Sequence, residues 1–174
     1  MNSELPKVDI TYGTKRHGER TYKDFKFFVI SATKGMYSVD VTTIGGDRFK
    51  SNIIKCNNRN SVIVFSDRRM LFCQIATITL IPRQEVEVVD SVAQFFDKST
   101  LPKTKTFHLI LNKSHAVEKH IAVFMKDGKI YKGEKSNHDY DSLQLLNQDG
   151  GLVLLMYDAV KRIVPFESDG SLAE

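Results

Sequence analysis

The chain has no tryptophan and only two cysteines among its 174 residues. Cys56 and Cys73 cannot build a disulfide framework or a four-cysteine zinc site, so a reducing, cytoplasmic setting is expected. Both fall in predicted strands and read as small buried hydrophobes. No run approaches the roughly 20 apolar residues of a membrane span, and Met1 to Pro6 carry no secretory pattern. Signatures of catalysis are missing too. Gly128 and Gly133 have the spacing of a phosphate loop, but Glu134-Lys135 follows in place of Lys-Ser/Thr. There is no Gly-x-Ser-x-Gly and no His-Glu-x-x-His. His108, His115, His120 and His138 lack a ligand spacing. A non-enzymatic protein without metal or cofactor is expected.

Hydrophobic residues make up 41% and charged residues 26%, enough for a packed core in one ordinary domain or two small ones. Without tryptophan, stacking falls to 11 Phe and 6 Tyr. The net charge of +4 is unevenly spread. Residues 1–83 hold 14 Lys and Arg against 7 Asp and Glu, whereas 84–174 hold 11 against 14. A basic half draws polyanions before any specific contact forms. An ordinary solvated surface accounts for the same charge.

A weak internal repeat organises the chain. Gly46 and Gly128 each sit at a turn, and Pro82 and Pro165 each close an apolar run, at separations of 82 and 83 residues. That period predicts two copies of one unit. In the second copy, strands are predicted at 121–125, from the Asp127-Gly128 hairpin to about 136, and at 143–146, 152–157 and 160–164. The Asn137-His138-Asp139 turn lies between the second and third of these. The first copy repeats the pattern at 37–44, 48–56, 61–66, 70–76 and 77–81. A helix is predicted over 22–34 from apolar residues at 22, 25, 28, 29 and 32. For the second copy, 91–98 and 106–114 compete for that role. The predicted layout is a flexible arm (1–20), a first unit (21–83), a connection (84–103), a second unit (104–167) and a tail (168–174). Each unit is a short helix plus a strongly bent five-stranded antiparallel sheet, a small open barrel, in a mainly β chain.

Residues 121–133, with Phe124, the Asp127-Gly128 turn and Gly133, are similar to the first motif of Hfq, the bacterial Sm-like RNA chaperone. Met156 to Pro165 resembles its second motif. The resemblance covers 104–166 well and 22–83 more faintly, through Gly46, Ala76 and Ile81-Pro82. It implies tandem Sm-like units that bind single-stranded, A-rich RNA on a ring face. Unpaired fourth and fifth strands imply a homo-oligomer, a homotrimer forming a pseudo-hexameric ring.

The site expected from this resemblance places Phe124 as a base platform, with backbone contact near Gly128 and Asp139 as the acidic turn residue. Lys129 and Lys132 flank the hairpin, and Arg48 and Lys50 lie on the corresponding strand of the first copy. Arg68 and Arg69 form an anion-binding candidate, since guanidinium forks match phosphate geometry. Asp141 and Asp158 stand where phosphate-facing groups belong. They favour the alternative, a scaffold or protein-interaction module that has lost RNA binding.

Overall fold

A computed structural model describes residues 9–84, 105–116 and 120–166. After a short 3-10 turn at Ile10–Tyr12, the order is β1 (Thr14–Lys15), α1 (Lys23–Lys34), β2 (Ser38–Thr43), β3 (Arg48–Asn57), β4 (Val62–Phe65), β5 (Arg69–Leu71) and β6 (Ile75–Ile81). The second half continues with β7 (Lys105–Thr106), α2 (His108–Ala116), β8 (His120–Met125), β9 (Ile130–His138), β10 (Ser142–Asn147), β11 (Leu152–Met156) and β12 (Val160–Phe166). Of the two competing segments, 108–116 is helical; 91–98 lies outside the described residues, as do most of 84–103 and all of 168–174. No helix among the described residues is long and apolar enough to cross a membrane.

The predicted periodicity of α1 is realised. Phe25, Phe28, Val29 and Ala32 are buried and Phe27, Ile30 and Lys34 are exposed, so packing of one face overrides the modest helix propensity of its aromatic and β-branched residues. The two hairpin glycines are required by their backbones, at φ +96° for Gly46 and +90° for Gly128.

Ten strands form one antiparallel sheet in the order β12-β8-β9-β10-β11-β6-β2-β3-β4-β5. Both halves therefore use the same strand order: the fifth strand beside the first, then second, third and fourth. They are joined where β11 pairs with β6, at Val153↔Thr79, Leu154↔Ile78 and Leu155↔Thr77. The protein is thus mainly β, with two helices and a large antiparallel sheet that is not closed into a barrel.

The reason lies in β11. Strand alternation sends its side chains to opposite faces. Leu154 and Met156 enter the core built on Phe25, Phe28, Val41, Ile63 and Phe72 of the first half. Val153 and Leu155 enter the core built on Phe107, Leu111, Val123, Leu145 and Ile163 of the second. One strand serves both cores, which welds the repeats together.

Residues 9–20, where the sequence predicts a flexible arm, are tied down. β1 pairs with β7 at Thr14↔Thr106, and the Arg162 guanidinium lies 4.8 Å from the centre of the Tyr12 ring. Arg16 and Arg20 form ion pairs with Asp141 and Asp158. Nothing local in the sequence announces these partners, which lie 90 or more residues away.

Candidate functional site

The β9–β10 turn is the first place where the predicted site changes meaning. Asp139 accepts the backbone N–H of Asp141 at 2.7 Å and of Ser142 at 2.8 Å, closing its own turn. Its other oxygen accepts the Asp24 N–H at 2.8 Å. It thereby supplies a cap for α1, whose own N-cap residue, Tyr22, makes no side-chain cap and sits in the left-handed region at φ 49°. Asp139 is a structural clamp between the halves, with its lone pairs committed. Asp141 accepts the N–H groups of Thr21 and Tyr22 at 3.0 and 2.8 Å in addition to its Arg16 ion pair. Asp158 is held by Arg20. The two carboxylates that looked set to repel a polyanion are therefore matched by arginines of the N-terminal segment.

Asp24 completes this cluster. One oxygen accepts Asn137 at 2.7 Å and Gln144 at 2.6 Å; the other is buried with no hydrogen-bond partner among the described residues. Burial, and then the neighbouring Asp139, push its carboxyl up to about 6 from the usual 3.8. A raised acid favours the protonated fold. Its stability contribution is full below the unfolded value near 3.8 and is lost as pH rises through 6. Asp24→Asn removes this dependence, so its melting curve is expected to gain on the wild type as pH rises from about 4 to about 7. The gain should be on the order of 1 kcal/mol after allowing for solvent screening. Parallel pH–stability curves for the two proteins would rule this out.

The two Gly-tipped hairpins meet at the seam between the halves. There they line a small, solvent-connected depression. Thr42, Thr43, Ile44, Gly46, Ala76 and Thr77 come from the first half; Met125, Lys126, Asp127, Lys129, Tyr131, Asp158 and Ala159 come from the second. The lining is mainly apolar, with three threonine hydroxyls, two lysines, and two carboxylates that are paired with Lys129 and Arg20. Lys126 and Lys129 are exposed; Lys129 is 3.3 Å from Asp127, whose charge it matches. Arg48 donates to both oxygens of Asp40, at 2.8 and 2.6 Å.

The other predicted residues scatter. Phe124 is half-buried on β8 between Arg162 and Ile130 in register, outside the depression. Gly128 serves the hairpin tip. Lys132 and Lys50 are exposed on β9 and β3. Arg68 is ion-paired to Asp67 at 2.6 Å, with its guanidinium 3.9 Å from the centre of the Phe49 ring. Arg69 is exposed on β5, the terminal strand of the sheet, far in strand order from the β8–β9 hairpin. Sequence reasoning placed no site at Tyr131, Thr43 or Thr77. The matched positions of Gly46 and Gly128 were the available signal, but only the β11–β6 junction brings the two hairpins together.

These features define a mainly β protein of two welded repeats, with a polar-rimmed depression at their seam. The profile of a family described as repressor of phase-1 flagellin matches residues 9–163. The chain belongs to that family. The match overturns the Hfq assignment and, with it, the RNA-chaperone role. The shared features, an Asp-Gly hairpin and a β-branched run ending in proline, follow from short-strand turn chemistry and arise without that kinship. Neither a curated protein nor a solved structure matches the chain significantly.

Proposed function

We propose that this protein represses flagellin expression by binding single-stranded nucleic acid, with RNA as its partner, and without catalysing a reaction. Family membership supports the repressor role. The seam depression supports the ligand class and is the observation that carries the reading. Its mainly apolar lining and threonine hydroxyls suit one unstacked base, while exposed Lys126, and Lys129 on exchanging Asp127 for a phosphate, suit the adjoining phosphates. A duplex keeps its bases stacked and would not fill it. The excess of basic residues in 1–83 adds long-range attraction.

Titrating a labelled single-stranded RNA, the matching DNA strand and the duplex at about 50 and about 200 mM salt tests this. Tightest binding to the single-stranded RNA is expected, weakening as salt rises. The Lys126→Ala/Lys129→Ala double variant should bind roughly tenfold more weakly at low salt and show a shallower salt slope. No binding at low salt would overturn the proposal and leave a protein-interaction module. Duplex binding equal to single-strand binding would overturn the choice of ligand.

We further propose that each chain ends its own sheet and does not close a ring of three. In such a ring, β5 of one copy would pair with β12 of the next, as β11 pairs with β6 within the chain. However, β5 is three residues long, starting at Arg69 just after Arg68, and β12 carries Pro165 and an Arg162 already held by Thr11 and Tyr12. Short, charged and proline-bearing strands blunt a sheet edge. Light scattering on the same sample should give one 19.8 kDa chain; three times that mass would restore the ring.

A further inference from the structure

Where α2 meets the β9–β10 turn, three rings stand in a row. The Tyr140 ring lies 4.5 Å from that of His108, tilted by 32°, and His108 lies 5.4 Å from His138. Side-chain hydrogen bonds lock the row. Lys135 Nζ can only donate as an ammonium, so His138 Nδ1 accepts from it at 3.2 Å. His138 Nε2–H then donates to Asn112 Oδ1 at 3.1 Å, and Asn112 Nδ2 donates to His108 Nε2 at 2.9 Å. His108 is thereby fixed as the backing for Tyr140.

All this order ends in an exposed ring. Tyr140 retains 53% of its surface, and Leu109 beside His108 on α2 retains 52%. The tyrosine ring rests against His108 at a tilt, and about half of the residue's surface is left to solvent. A ring held in one orientation has already lost the freedom that stacking would remove, so a flat partner binds it at a lower entropic cost. Lys135 belongs to the hydrogen-bonded chain, exposed Lys113 follows Asn112 on α2, and the flanking carboxylates, Asp139 and Asp141, are engaged within the fold. A rigid aromatic face among cations is the composition of a single-strand stacking site.

We propose that Tyr140 is a stacking platform for one unpaired nucleobase, a contact separate from the seam depression, with His108, Asn112 and His138 as the residues that position it. This rests on the single-strand reading above. A labelled single-stranded RNA is titrated against wild type, Tyr140→Ala and Tyr140→Phe, with thermal melts confirming that all three are folded. Alanine should weaken binding by roughly tenfold, phenylalanine should bind as wild type does, and the salt slope should stay the same in all three because no phosphate contact is removed. Equal affinities for wild type and Tyr140→Ala would overturn the platform while leaving the single-strand reading intact. Loss of binding in Tyr140→Phe as well would make the hydroxyl, not the ring face, the contact, and would overturn it too. Failure of the wild type itself to bind RNA would remove both.

Discussion

Gly133→Ala is expected to destabilise the protein by about 3 kcal/mol or more, placing it among the severe single substitutions. Gly133 is buried in β9, opposite Ile121 of β8 and Asn147 of β10. A methyl group there would lie inside the contact radius of the Leu146 carbonyl oxygen. That oxygen belongs to the backbone of a central strand, so it cannot swing away as a flexible side chain would. Relief requires β9 and β10 to part, and β10 carries Leu143 and Leu145 into the second core. For a chain of this length, each kcal/mol lowers the melting temperature by about 2–4 °C, so a fall of roughly 6–12 °C is expected. Gly151→Ala is the control: nothing lies within 4 Å of its added methyl. Its melting temperature should stay close to the wild type, and equal melting of the two variants would refute the steric argument.

Asp141→Ala carries the second large effect, about 3–5 kcal/mol. The Arg16 side chain is 8% exposed and that of Asp141 is 2% exposed, so removing the carboxylate strands a buried cation. It also leaves the N–H groups of Thr21 and Tyr22 without their acceptor, just where Tyr22 holds the left-handed backbone that starts α1. Urea unfolding should show the loss, and added salt should change it little because a buried pair is poorly screened. Asp127→Ala, at an exposed carboxylate paired with Lys129, provides the comparison and should change stability by less than about 1 kcal/mol. If Asp141→Ala were no worse than Asp127→Ala, the cluster would not be holding the halves together. At temperatures where the Asp141 variant is folded, its affinity for RNA should match the wild type, since Asp141 faces Arg16 and the backbone rather than solvent.

Much of the secondary structure was legible from local patterns. The hairpins at Gly46 and Gly128, the apolar stripe of α1 and the strands of both halves lie close to where periodicity and turn residues put them. The predicted strand over 70–76 is interrupted by a 3-10 turn at Phe72–Gln74, matching the one at Tyr157–Ala159 in the second half. Alternation of apolar residues continues through such a turn, so it leaves little mark in the sequence. Site residues were less legible. Asp139 was identified as the turn residue, yet its second role as the cap of α1 depends on a helix 115 residues away. Asp141 and Asp158 looked like repulsive charges because the arginines that match them lie at 16 and 20.

The sequence by itself determined that the chain is built from two β-rich copies on tight turns, because strand alternation and glycine at positive φ are local properties. It also determined the basic bias of the first copy. Only the tertiary structure decided that the copies share one sheet, and the reason is β11. Whether Val153 and Leu155 belong to the same core as Leu154 and Met156 depends on which strand lies alongside, and a run of five apolar residues is compatible with one core or with two. Pairing with β6 sends alternate residues to different cores. That pairing sets the two hairpins around one depression and brings the α1 N-terminus against Asp139, so the candidate site exists only once the halves are joined.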